Sequence, residues 1–177
     1  MLRLAPLALT LALTACGQSP QLLPPDAILP GGSRYHGTVV EGLLQGEGRL
    51  DYPDGSRYAG HFVDGQRHGA GEWQGADGEH YLGEFAAGRY DGQGTLRKAD
   101  GSTYSGGFRQ GQFSGEGALQ EAGQTYRGQF RTGRFHGFGI LEQADGSRFQ
   151  GVFAKGLPDG QGCLLYTSPS PRDRQKS

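Results

Sequence analysis

An aromatic residue returns at a near-constant interval along this chain, at Tyr35, Tyr58, Tyr81, Tyr104, Tyr126 and Phe149, with a step of 23 residues everywhere except the fourth, which is 22. A fixed period of this length leaves few architectures open, because each repeat is one supersecondary unit that hides its apolar face only by stacking on its neighbours. Every copy has glycine two positions after the aromatic (Gly37, Gly60, Gly83, Gly106, Gly128, Gly151) and an apolar residue four positions after it (Val39, Phe62, Phe85, Phe108, Phe130, Phe153). Alternation with a period of two places the two large residues and the glycine on one face of a strand.

A Gly-x-x-x-Gly stretch follows, such as Gly65 to Gly69, and then a second strand with glycine, glycine and a bulky residue on one face: Gly69, Gly71, Trp73, or Gly92, Gly94, Leu96. The unit is a β-hairpin. Four of five junctions carry Asp-Gly (Asp54-Gly55, Asp77-Gly78, Asp100-Gly101, Asp145-Gly146), a tight-turn signal; the fourth, at residues 121–125, drops the aspartate and one residue. The chain holds 34 glycines among 177 residues. Rings laid over bare glycine backbone on a neighbouring strand explain that abundance, and either plausible register places Tyr58 and Phe62 against Gly69 and Gly71.

These Tyr-x-Gly-x-Phe-x-x-Gly-x-x-x-Gly-x-Gly units, clearest at residues 58–73 and 126–141, resemble the MORN repeat family over residues 35–162. The resemblance implies an all-β fold, an elongated single-layer antiparallel sheet of about six tandem hairpins with rings on one concave face. Six units at two strands each would extend roughly 55–60 Å. The ring positions are Tyr35, Tyr58, Phe62, Tyr81, Phe85, Tyr104, Phe108, Tyr126, Phe130, Phe149 and Phe153. Val39 in the first unit and Phe149 in the last depart from the pattern, as terminal units do.

The start of the chain reads as an address. Arg3 precedes an apolar run from Leu4 to Ala12 that is too short to span a bilayer, and residues 1–15 form a signal peptide. Leu13-Thr14-Ala15-Cys16 resembles the bacterial lipobox, which implies lipidation of Cys16 and membrane anchoring by several acyl chains. Gly17, where an aspartate would retain a lipoprotein at the inner membrane, implies an outer-membrane lipoprotein facing the periplasm, with inner membrane and cell surface as alternatives. Residues 16–34, rich in proline, read as an extended tether. From Cys163 the repeat text stops; residues 163–177 resemble translated adapter sequence, with a basic disordered peptide as the alternative, and are placed outside the array.

Chemistry-bearing motifs are scarce. His36, His61, His68, His80 and His136 fall at scattered repeat positions and assemble no metal site. No Gly-x-Ser-x-Gly motif occurs, and the junction aspartates recur because turns want them. One aspartate per 23 residues does not supply a calcium cage, and the Gly-x-Gly pairs lack the helix and lysine of a phosphate loop. No cofactor and no enzymatic activity are expected, and a formal charge of -1 argues against nucleic acid.

Two surface features stand out. Tyr90, Phe113 and Phe135 occupy the middle of the Gly-x-x-x-Gly stretch in three successive units, where they either line a partner-binding rim at the hairpin tips or fold back over the concave face. Unit five carries Arg127, Arg131, Arg134 and Arg148 against Glu142 and Asp145, whereas unit two carries Asp64, Glu72, Asp77 and Glu79 against Arg67. Arg109 and Arg131 share a repeat position, and Arg109, Arg127, Arg131 and Arg134 form a candidate anion contact opposite the rings, or else a solvated face.

The functional expectation is a membrane-anchored, non-catalytic scaffold or interaction lipoprotein of the bacterial envelope, with a protein partner or a second copy as ligand. A module for anionic phospholipid headgroups or cell-wall polymer is the first alternative. An accessory region to a catalytic domain outside this chain is the second.

Overall fold

A computed structural model describes residues 21–22 and 27–166, and places them in one antiparallel sheet without helix. Twelve strands run in hairpin order: β3 (Arg34–Val40), β4 (Leu43–Asp51), β5 (Arg57–Val63), β6 (Gln66–Gln74), β7 (His80–Ala86), β8 (Arg89–Arg97), β9 (Thr103–Arg109), β10 (Gln112–Glu121), β11 (Gln124–Arg131), β12 (Arg134–Glu142), β13 (Ser147–Ala154) and β14 (Leu157–Tyr166). Two short segments, β1 (Gln21–Leu22) and β2 (Ala27–Ile28), both pair with β3. Part of the stretch read as a tether therefore lies along the first edge of the sheet. At the other end, β14 continues opposite β13 as far as Tyr166, with Leu164 facing Phe149. The pairing thus runs past the boundary at residue 162, and Leu164 takes the register position opposite Phe149 that Leu141 takes opposite Tyr126 in unit five. Cys16, the signal peptide and residues 167–177 lie outside the described residues.

The register differs in detail from a simple ring-opposite-glycine ladder. Within a hairpin, Tyr58 faces Trp73, Gly60 faces Gly71 and Phe62 faces Arg67, while Gly69 faces Phe85 of the next unit. The tyrosine ring reaches its glycines diagonally: it leans forward along its own strand and lies over the Gly60–Gly71 pair. A methyl group added at Gly71 would sit 2.5 Å from Tyr58 Oη and 2.6 Å from its ring. No other side chain leaves room for the ring.

Leaning forward brings each phenol to the backbone carbonyl three residues on. Tyr58 Oη donates to His61 O at 3.0 Å, Tyr81 to Glu84 O at 2.9 Å, Tyr104 to Gly107 O at 2.9 Å and Tyr126 to Gln129 O at 3.0 Å. Around those carbonyls the register shifts, as between Gly60 and His61, so the phenol gives a polar atom beside the bulge a partner.

The core is correspondingly thin. Tyr35, Tyr58, Tyr81, Tyr104 and Tyr126 are fully buried, joined by Phe62, Phe85, Phe108, Phe130 and Phe153, with Leu50, Leu96 and Leu119 beside them; Phe149 is half-buried. Tyr58 meets Phe62 and Phe85 edge-on at 5.1 and 5.0 Å, and Tyr81, Tyr104 and Tyr126 are clamped in the same way between the phenylalanines of their own unit and the next. Edge-to-face pairs of this kind add to the area they bury.

Candidate interaction surfaces

Tyr90, Phe113 and Phe135 do not stand at hairpin tips. The tips are the residue pairs Ala87-Gly88, Gln110-Gly111 and Thr132-Gly133, all with positive φ, and each aromatic lies two residues further on, inside a strand. Their rings fold back onto the sheet and stack on the unit's tyrosine: Tyr90 on Tyr81 at 3.8 Å, Phe113 on Tyr104 at 3.7 Å and Phe135 on Tyr126 at 3.8 Å, with interplanar angles of 17°, 11° and 9°. Of the two placements open to them from the sequence, a rim at the hairpin tips or a fold back over the concave face, they take the second.

Each stacked ring keeps its outer face half-exposed. Since the tyrosine beneath lies on glycine backbone, the stacked ring also lies flat, and its free face points away from the sheet. Upright phenylalanines separate the flat rings: Phe108 stands between Tyr90 and Phe113, at 5.8 and 5.5 Å and near-perpendicular to both. The result is a continuous corrugated strip across units three to five. Backbone hydrogen bonds fix it, because the turn amide of each unit donates to the carbonyl of the previous strip residue, as Gly111 N does to Tyr90 O at 2.7 Å and Gly133 N to Phe113 O at 3.0 Å.

In unit two the strip position is Arg67. Its guanidinium lies 4.8 Å from the centroid of Trp73 and 5.4 Å from that of Phe85, and Nη2 donates to Gly88 O at 2.7 Å. A planar cation thus takes the place of a planar ring. The sequence singles out Arg67 only as a charge of unit two; its spacing of nine residues from Tyr58, the same as Tyr90 has from Tyr81, is the signal that it belongs to the strip.

Tyr90 is held further by its hydroxyl, which donates to Glu79 Oε1 at 2.7 Å. Burial, and then that hydrogen bond to a carboxylate, push its pKa well above the usual tyrosine range. The Tyr58, Tyr81 and Tyr104 phenols are pushed up to about 12, chiefly by burial.

The arginines divide. Arg131 and Arg134 face each other across the Thr132-Gly133 turn and line a concavity of about 530 Å³ together with Thr132, Phe135, His136 and Lys155. None of the three cations has an ion pair among the described residues. Arg127 instead lines a separate depression with Glu116, Gln129, Phe138 and Ile140, and Arg109 lines neither. Lys155 was missed in the sequence, although it lies one full period after Thr132.

The junction aspartates are structural. Asp54, Asp77, Asp100 and Asp145 accept from the backbone amides of Ser56, Glu79, Ser102 and Ser147 at 2.8–3.0 Å. Hydrogen bonds from Ser56, Ser102 and Ser147 hold the carboxyls of Asp54, Asp100 and Asp145 below the usual range. Among the described residues no group of three His, Cys, Asp or Glu side chains is placed to hold a metal, and no helix is long and apolar enough to cross a membrane.

A row of hairpins with a ring-lined face defines a repeat scaffold or binding module. The MORN repeat family matches at residues 35–57, 58–80, 81–103, 104–120, 126–148 and 149–168, and the chain belongs to that family. Among solved structures it is similar to the TCP domain of SAS-4 from Drosophila melanogaster, determined in complex with a proline-rich motif: 16% identity, a TM-score of 0.46, 94% of this chain and 99% of that one covered. Among curated proteins none matches significantly.

Proposed function

We propose that this chain is a non-catalytic scaffold of the bacterial envelope, tethered through a lipidated Cys16, that docks another polypeptide along the ring face of its hairpin array. The observation that carries the reading is the strip of half-exposed rings Tyr90, Phe113 and Phe135, which lies outside the fully buried core yet is fixed by stacking and by the turn hydrogen bonds. Rigid aromatic anchors of this kind dominate polypeptide recognition, because they lose little side-chain entropy on binding.

The test is a photoreactive phenylalanine analogue at position 113 of the full chain expressed in bacteria, with Leu82 on the opposite face as the control site. A protein adduct from position 113 and none from position 82 is expected. Adducts of equal yield from both, or from neither, would contradict docking on this face. The anchoring part is checked by mass spectrometry of the mature chain, which is expected to begin at Cys16 with attached diacylglycerol. A second copy pairing along an edge of the open sheet is a further partner; sedimentation showing only monomer across the micromolar range would count against it.

The concavity at Arg131, Arg134 and Lys155 favours a second reading, contact with anionic headgroups or cell-wall polymer. Vesicles containing anionic phospholipid are then expected to bind in a salt-sensitive way that Arg131→Glu weakens. Equal binding to neutral vesicles would contradict it.

A further inference from the structure

We infer that the occupant of the ring strip is a polyproline II segment carrying proline at every third position, with an acidic residue three positions beyond the last proline. The inference rests on the docking reading above, and its first support is a match of periods. Two strands per unit at about 4.8 Å put successive flat rings about 9.6 Å apart. A polyproline II helix presents the same side every three residues, or about 9.3 Å. Prolines at the first, fourth and seventh positions would meet Phe135, Phe113 and Tyr90, in that order, with an accumulated mismatch of only about 0.6 Å.

The second support is the shape of the surface. Each flat ring is bounded by upright ones, Phe108 and Phe130, at 5.5–5.8 Å. The corrugation forms shallow seats that suit a pyrrolidine ring lying face to face on an aromatic, the mode by which aromatic grooves take proline-rich ligands. An added β-strand would find no unpaired backbone here, since every strand under the strip is hydrogen-bonded on both sides. A helix repeats one face about every seven residues, or about 10.5 Å, and over the same two steps would accumulate a mismatch of about 1.8 Å.

Charge supplies the third. One more period beyond Tyr90 the strip position is Arg67, a cation with no ion pair among the described residues, while Tyr90 and the two phenylalanines are neutral. A carboxylate three residues past the proline on Tyr90 would reach the same period and meet that guanidinium.

The experiment uses the full chain and synthetic ten-residue peptides with proline at positions 1, 4 and 7 and aspartate at 10, read by calorimetry and by the fluorescence of Trp73, which lies against Arg67. The matched peptide is expected to bind about tenfold tighter than one of the same composition with prolines at 1, 3 and 6. Phe113→Leu, which keeps an apolar cover on Tyr104 but removes the flat face, is expected to abolish that preference with the circular dichroism unchanged. Arg67→Gln is expected to remove the preference for aspartate over asparagine at position 10 while leaving the proline preference intact. Equal affinity for both spacings, or no binding at millimolar peptide, would overturn the inference. If a protein adduct still forms at position 113 in that case, docking survives with an occupant of other form; if neither occurs, both fall.

Discussion

The fold depends on single glycines whose missing side chain leaves the space that one particular ring fills. At Gly94 the backbone is ordinary, and an added methyl would lie 2.5 Å from Tyr81 Oη and 2.6 Å from its ring. Gly94→Ala therefore overpacks a filled site and is expected to cost about 2–3 kcal/mol in urea unfolding. Gly111 is the contrast: its methyl would meet open space, but φ is +80°, so Gly111→Ala is expected to cost only about 1 kcal/mol of backbone strain. The phenol adds a smaller contribution. Tyr104→Phe deprives the Gly107 carbonyl of its 2.9 Å donor and is expected to cost about 1 kcal/mol, a change that Phe149 already carries in unit six.

At the scale of the element, the sequence was legible wherever one physical requirement has one solution. Strict alternation from Tyr58 to Phe62 admits only a strand, and Asp-Gly before a second such run admits little but a tight turn. The Gly-x-x-x-Gly stretch was not legible in this way. Gly88 and Gly92 both have positive φ, one because it closes the turn with Ala87 and the other because it lies in the bulge. Composition cannot say which glycine does which, and the ambiguity left Tyr90, Phe113 and Phe135 open between a rim at the hairpin tips and the concave face. The division of the arginines was not legible for a related reason: Arg127 and Arg131 share a face of β11, but they open onto different depressions.

The turns themselves set an acid limit. Asp54, Asp100 and Asp145 have lowered folded-state pKa values, so the stability they confer is present above the unfolded value of about 3.9 and is lost as pH falls through the lower folded values. Replacing all three by asparagine is expected to flatten the acid limb of the stability curve below pH ~4, measured by urea titration at a series of pH values. An unchanged limb would mean that those hydrogen bonds do not matter to folding.

Across the whole molecule the array is one-dimensional, each unit touching only its neighbours, so stability is a sum of units and junctions. Removing residues 81–103 joins His80 to Tyr104 with the period intact, and the shortened chain is expected to fold with a proportionally lower urea m-value. Removing only residues 81–92 breaks the hairpin order and is expected to abolish cooperative unfolding. Hydrogen exchange is expected to be slowest in unit four, which has a stacked ring in the units on both sides, and faster toward β3 and β14.

The central claim is that phenol rings seated on bare glycine backbone hold the hairpins together, and tyrosine ionisation followed by ultraviolet absorbance alongside circular dichroism tests it most directly. Burial holds the Tyr58, Tyr81 and Tyr104 protons to about 12 in the folded chain, against about 10 when unfolded. Stability is therefore full below pH ~10 and declines as pH rises toward 12, so tyrosinate formation and loss of the sheet are expected to occur together in that window. Titration of all the tyrosines near pH 10 in a chain whose sheet remains intact would contradict the account.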